Sequence, residues 1–246
     1  MAHITLQDVD VDFPLYQSGG RSLKKTLLSM ASSRIAPDAG HVVVHALRGL
    51  TLEVGDNERV ALIGSNGAGK TTLLRVMAGI YEPTRGHVHV EGDVSAILDI
   101  MLGFDPEATG YENIVLRGLY LGRSVAEMRE AAAEIGEFTE LGEFLHLPFK
   151  TYSSGMSFRL AFAVATAFQP SILLMDEWFA AGDQDFLRKA QTRMNDFVQR
   201  ARILVITSHN ADILRQWCTR AVWIDQGWIR EDGPIDAVLR SYARAH

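Results

Sequence analysis

The chain has 246 residues, a formal net charge of −6, 47% hydrophobic residues and a single cysteine, Cys218. That length buries a large core as one domain, or as one domain with a subdomain. The acidic balance argues against a dedicated nucleic-acid binder. One cysteine excludes an internal disulfide, and no run of about 18 apolar residues is present to cross a membrane. Met1-Ala2-His3-Ile4-Thr5 has neither the basic start nor the apolar stretch of a secretory signal, so a folded, soluble, intracellular protein is expected.

Residues 4–13 alternate loosely between apolar and polar side chains and predict a strand. Residues 17–41 hold paired glycines, serines and a proline. Within them, residues 22–31 place Leu23, Leu27 and Met30 at helical spacing. Residues 42–54 and 58–63 predict two more strands. The second runs into Gly64-Ser65-Asn66-Gly67-Ala68-Gly69-Lys70-Thr71, which spells G-x-x-x-x-G-K-[ST] in full. A helix-like run over residues 72–78 follows, so the motif has the strand–loop–helix setting it requires. Glycines let backbone N–H groups close around a phosphate, and the helix N-terminus adds partial positive charge. Lys70 is expected to reach the β- and γ-phosphates, and the Thr71 hydroxyl to ligate Mg²⁺.

Arg85-Gly86 predicts a turn before a short β run at residues 87–90. From about residue 104 to 168 the pattern becomes helical, with a capping-box signature at Ser124-Val125-Ala126-Glu127. Within that stretch lies Tyr152-Ser153-Ser154-Gly155-Met156-Ser157-Phe158-Arg159. Small residues open a helix here and leave its first N–H groups outward, an anion-binding surface. Residues 172–175 and 202–207 are short and apolar, as in a parallel sheet covered on both faces. Asp176 and Glu177 stand at the C-terminal end of the first, where open α/β sheets bind ligands. Asp176 is expected to hold Mg²⁺ through water, and Glu177 to polarise the attacking water. His209 follows the second strand, within Thr207-Ser208-His209-Asn210, and is positioned to hydrogen-bond a γ-phosphate. Cys218, in a helix-like run over residues 211–218, reads as a small buried hydrophobe. A β run at 221–224, a turn at Asp225-Gln226-Gly227 and a last helix, with Pro234 near its first turn, complete an α/β chain interrupted by a helical insert.

Phosphate loop, small-residue helix start, acidic strand and trailing histidine, in this order, resemble the nucleotide-binding subunit of an ABC transporter over nearly the whole chain. The resemblance implies a P-loop ATPase fold with a parallel core sheet, an antiparallel β subdomain and a helical subdomain at about 104–170. It implies a single such domain over residues 1–246. It further implies a homodimer that clamps two ATP molecules with Mg²⁺, so that Ser153 and Gly155, with Ser154 and Met156 beside them, face the γ-phosphate on the partner's Lys70. Thr72 would reach the α-phosphate. Phe13 would stack on adenine, with Tyr16 the other candidate. Ala180-Ala181-Gly182-Asp183 falls where the family's dimer-contact loop lies.

The departures from the common pattern are specific. Tyr152-Ser153-Ser154-Gly155-Met156 replaces the usual Leu-Ser-Gly-Gly-Gln. With Gly103-Phe104, Thr109-Gly110-Tyr111-Glu112-Asn113, Gly182-Asp183 and the insertion at 17–41, it is similar to the subfamily exporting bacterial polysaccharides: O-antigen, capsule and teichoic acid. That likeness implies two integral-membrane permease subunits as partners, no nucleic acid, and a place at the cytoplasmic face of the inner membrane. Lys24 and Lys25 read either as contacts to anionic head groups or substrate, or as two solvated lysines. The family's metal-touching glutamine is missing from Ile97-Leu98-Asp99-Ile100-Met101, where Asp99 is the nearest polar candidate. The carbohydrate-binding domain that some of these exporters append has no counterpart before His246, so recognition of a glycan's end is expected to lie elsewhere.

Overall fold

The structure is a computed structural model that describes residues 1–15, 35–38, 41–177 and 184–245. In chain order the first half holds β1 (His3–Leu15), β2 (Ile35–Asp38), β3 (His41–Val54), β4 (Arg59–Ile63), α1 (Lys70–Met77), β5 (Arg85–Glu91) and β6 (Val94–Ile97). Next come α2 (Gly110–Tyr120), α3 (Val125–Thr139), two 3-10 turns (Gly142–His146 and Phe149–Thr151) and α4 (Ser154–Ala165). The chain then returns through β7 (Ile172–Asp176), α5 (Gln184–Arg200), β8 (Ile203–Thr207), α6 (Ala211–Trp217), β9 (Arg220–Asp225), β10 (Trp228–Pro234) and α7 (Ile235–Ala245).

Two sheets organise the molecule. A four-stranded sheet runs β2-β3-β1-β5, and its pairs are antiparallel. A six-stranded sheet runs β10-β9-β4-β8-β7-β6, parallel except where β10 turns back on β9. The continuous apolar runs of the central strands follow from burial on both faces. Val60, Leu62, Ile172, Leu174, Ile203 and Val205 face one core, shared with α1 and the antiparallel sheet. The alternate residues Ala61, Ile63, Leu173, Met175, Leu204 and Ile206 face a second core with α4 and α5. A third core, around Ile114, Met128, Ile135, Leu145 and Leu160, belongs to the helical part.

The capping box expected at Ser124 is present: Ser124 Oγ accepts the Glu127 N–H, and the Glu127 carboxylate accepts the Ser124 N–H at 2.8 Å. A second one, Thr109 with Glu112, opens α2. Strands β2, β6 and β10 and helix α5 are elements the sequence reading left out. Pro234 closes β10, paired with Arg220, and the helix begins one residue later. The helix expected over residues 22–31, with Lys24 and Lys25, lies outside the described residues, as do Tyr16 and Ala180-Ala181-Gly182-Asp183. Among the described residues, no helix is long and apolar enough to cross a membrane.

Candidate functional site

The phosphate loop connects β4 to α1 and needs its glycines. Gly64 takes φ +150, and a Cβ there would lie 2.2 Å from the Ile224 carbonyl oxygen. Gly69 caps α1 at φ +115 with no side chain covering the helix end, so the first N–H groups stay open. The loop is anchored from outside: Gly227 N–H donates to Ala68 O at 2.9 Å, and Arg48 N–H to Gly227 O at 3.0 Å. Lys70 Nζ folds onto the loop itself, donating to Gly64 O at 2.7 Å and Ser65 O at 3.0 Å. Burial pulls its pKa below the usual lysine value, and the charges of Asp176 and Glu177 push the other way. Lysine and carboxylates therefore share one electrostatic environment.

Register places the two carboxylates. Asp176 on β7 is paired with Thr207 on the parallel strand β8. Thr207 is 1% exposed. Its Oγ1–H donates to Asp176 Oδ1 at 2.6 Å, and Thr207 Oγ1 accepts the Glu177 N–H at 3.2 Å. The Glu177 N–H also donates to Thr207 O at 3.1 Å. Glu177 takes φ +62. That left-handed geometry costs about 1–2 kcal/mol in a residue with a Cβ, and the Thr207 contacts hold it. His209 Nε2 stands 2.9 Å from Glu177 Oε1. Thr207 thus braces the Asp176 carboxylate and the Glu177 backbone. The sequence reading passed through it without assigning it a role, because only the strand register reveals the partnership.

Asp99 lies with Asp176 and Glu177 around a cavity of about 300 Å³, lined also by Ile97, Ile100, Phe158, Phe162 and Met194. Its own Oδ1 accepts the Met101 N–H at 3.1 Å. No group of three or more His, Cys, Asp or Glu side chains forms a metal cluster among the described residues. Oxygen donors of the kind Mg²⁺ prefers are nonetheless present in the Thr71 hydroxyl and the Asp176 carboxylate. Phe13, at the far end of β1, is 36% exposed and meets Tyr81 edge-on, centroids 5.4 Å apart.

Ser153, Ser154, Gly155 and Met156 lie apart, at the start of α4. Ser153 is the N-cap, and its Oγ accepts the Met156 N–H at 3.2 Å. One first-turn N–H expected to face outward is therefore satisfied by the chain itself. Tyr152 Oη–H donates to Phe144 O at 2.7 Å. A Cβ on Gly110 would lie 2.3 Å from that hydroxyl. The Tyr152 and Thr109-Gly110-Tyr111 motifs, separate in sequence, are one packing unit. Asn113, fully buried, fixes the loop that leads into α2, with Nδ2 donating to Asp105 O, Ala108 O and Thr109 O.

Comparison with known proteins agrees with this architecture. The family described as ABC transporter matches residues 47–180. An O-antigen export system ATP-binding protein of Yersinia enterocolitica is 43% identical over 234 residues, covering 94% of this chain and 98% of that protein. A second, from Myxococcus xanthus, is 41% identical and spans 100% of this chain, which in turn covers 56% of that longer protein. A teichoic acids export ATP-binding protein of Bacillus anthracis is 37% identical over 80% of this chain and 36% of its own length. Among solved structures, a dimeric ATP-binding cassette in a post-hydrolysis state bound to ADP and Pi superposes at TM-score 0.67. It is 20% identical and covers 94% of this chain and 98% of that one. An ATP-binding subunit of an ABC transporter reaches TM-score 0.68 at 22% identity, with 98% and 93% covered. With over half its length matched by the family and a 43% identical relative spanned almost end to end, the chain belongs to the ABC transporter family, as an ATP-hydrolysing, nucleotide-binding subunit.

Proposed function

We propose that this chain powers export of a lipid-linked polysaccharide across the inner membrane, working from its cytoplasmic face as a homodimer beneath two membrane-embedded permease subunits. The observation that carries this reading is the 43% identity to an O-antigen export ATP-binding protein that the chain spans to 98%. The acidic chain of net charge −6 agrees with membrane-protein partners rather than nucleic acid.

The residues divide the chemistry. Gly64, Ser65, Asn66, Gly67, Ala68 and Gly69 present backbone N–H groups to the β- and γ-phosphates, and Lys70 turns from its loop carbonyls to those phosphates. Thr71 and Asp176 would hold Mg²⁺, which would supply charge neutralisation at the transferring phosphoryl group. Thr72 reaches the α-phosphate. Glu177 orients and polarises the attacking water, and His209, 2.9 Å from it, holds the γ-phosphate. Asp99 joins the metal's surroundings in place of the missing glutamine. Phe13 stacks on adenine. Ser153, Ser154, Gly155 and Met156 close over the γ-phosphate bound to the partner subunit. ATP drives closure because it binds the closed dimer better than the open one, and hydrolysis resets it.

The test is Glu177→Gln in two assays. ATP binding is retained while turnover falls about 10²- to 10⁴-fold, and cells carrying the variant accumulate undelivered glycolipid. A tagged variant recovered from solubilised membranes brings a multi-span membrane protein with it. Recovery of ribosomes or nucleic acid instead would refute the export reading, and wild-type turnover would refute the role of Glu177.

A further inference from the structure

Two side chains lead from the proposed adenine platform to the cavity that the carboxylates line, and neither has a role in the account above. Arg75 stands in the last turn of α1. The helix closes with Ile80 N–H donating to Arg75 O at 2.9 Å and Gly79 N–H to Val76 O at 3.0 Å. Gly79 takes φ +69, as this kind of helix end requires. The reversal folds Tyr81 back over Arg75. The Tyr81 N–H donates to Arg75 O at 3.2 Å. Arg75 Nη1–H donates to the Tyr81 hydroxyl at 3.0 Å, and the guanidinium carbon lies 5.5 Å from the Tyr81 ring centroid. The same ring meets Phe13 at 5.4 Å with an interplanar angle of 71°. Arg75 also walls the cavity of about 300 Å³ that it shares with Asp99, Asp176 and Glu177.

We propose that Tyr81 and Arg75 are positioning residues that make the rate of hydrolysis depend on which base lies on Phe13. The inference rests on the stacking role of Phe13 given under Proposed function. A purine on Phe13 fixes that ring. The edge contact then fixes Tyr81, and the charge-assisted bond from the guanidinium fixes Arg75. A positive charge held in one place on the wall of the cavity that the carboxylates also line keeps the field on them constant, whereas a wandering one does not. A helix end that is only structural would affect all nucleotides alike. Couplings between sites are worth about 5- to 150-fold. Three modest contacts in series put this one near the lower end, about fivefold.

The experiment is steady-state hydrolysis of ATP and UTP by the full chain, wild type and variants, with kcat and KM separated. For wild type, saturating kcat for ATP exceeds that for UTP about fivefold. Tyr81→Phe keeps the ring and loses the hydroxyl. It lowers kcat for ATP until the ratio approaches one, leaves kcat for UTP unchanged, and leaves KM for ATP near wild type. Arg75→Met, which removes the donor and the charge, collapses the same ratio. An equal loss for both nucleotides, an unchanged ratio in Tyr81→Phe, or a wild-type ratio of one would overturn the proposal. Phe13→Ala separates the two levels. A raised KM for ATP there, with Tyr81→Phe silent, overturns the coupling alone, and an unchanged KM overturns the stacking role beneath it.

Discussion

Thr207→Val is the sharpest perturbation of the site, because it deletes one hydroxyl and keeps the shape of a side chain that is 1% exposed. Two interactions end: the 2.6 Å donation to Asp176 Oδ1 and the 3.2 Å acceptance from Glu177 N–H. The second loss is cushioned, since the Glu177 N–H still has Thr207 O at 3.1 Å. The first is not. A hydrogen bond to a charged group contributes about 1.5–3 kcal/mol, and partial access of water to Asp176 selects the lower end, about 1.5 kcal/mol. For a chain of this size that lowers Tm by about 3–6 °C. The same free energy, removed from the arrangement proposed to hold metal and water, is about a tenfold loss in kcat. Thermal unfolding and steady-state ATPase assays read the two quantities. A double-mutant cycle with Asp176→Ala, which removes the acceptor, isolates the pair, since most of the Thr207→Val stability effect vanishes in that background. Wild-type Tm together with wild-type kcat, or full additivity in the cycle, would refute the brace.

The other expectations are smaller in scope. Gly79→Ala places a Cβ at φ +69, costing about 1–2 kcal/mol, read as a fall in Tm, with the helix end at Arg75 disturbed. Burial pushes the Cys218 thiol up to about 12 from 9.0, so the native thiol resists iodoacetamide at pH 8 and reacts on unfolding. The folded chain keeps that proton where the unfolded chain releases it. Its contribution to stability is therefore intact below pH 9 and declines as pH rises toward 12, which denaturant titrations at stepped pH measure. Ser153→Asp retains the helix cap and therefore Tm, yet abolishes ATP-driven dimerisation measured by light scattering. Ser153→Ala loses about 1 kcal/mol of stability and weakens dimerisation.

The parts legible in sequence are those whose signal lies in consecutive residues. The phosphate loop, the Asp176-Glu177 pair after four apolar residues, and the Ser124–Glu127 capping box each need fewer than ten positions. Strands β7 and β8 read clearly because both faces are buried. Strand β10 did not, because its residues alternate between exposed and half-buried and include Arg230, Glu231, Asp232 and Gly233. Strand β6 is a four-residue edge broken by Ser95, with none of its residues fully buried. Helix α5 was readable: Phe186, Ala190, Met194, Phe197 and Val198 recur at helical spacing and all are buried. The brace at Thr207 was not, since it depends on the parallel register of two strands whose partners are 31 residues apart. The Arg75–Tyr81 contact depends in turn on a left-handed glycine between them.

One helix end carries two claims that must be satisfied together. The start of α4 was read as an anion site because small residues leave its N–H groups open, but Ser153 Oγ already accepts one of them, at 3.2 Å from Met156 N. A cap accepting a neutral N–H does not consume the hydroxyl's own hydrogen. Ser153 therefore holds the helix end with a lone pair and keeps an O–H to donate, which is what the proposed contact with a phosphate on the partner subunit needs. Asparagine and aspartate cap as well as serine but change what is offered: aspartate presents only acceptors and a negative charge. Alanine offers nothing and leaves the Met156 N–H unpaired. Serine combines a compact cap with a free donor, so the requirement at this position follows from both uses at once. A helix opened by glycine alone would keep its N–H groups bare and lose the geometric fix that aims them. The proposed functional demand on Ser153 and the folding demand on α4 fall on different atoms of one hydroxyl, which is why stability and ATP-driven closure are expected to separate in the aspartate variant.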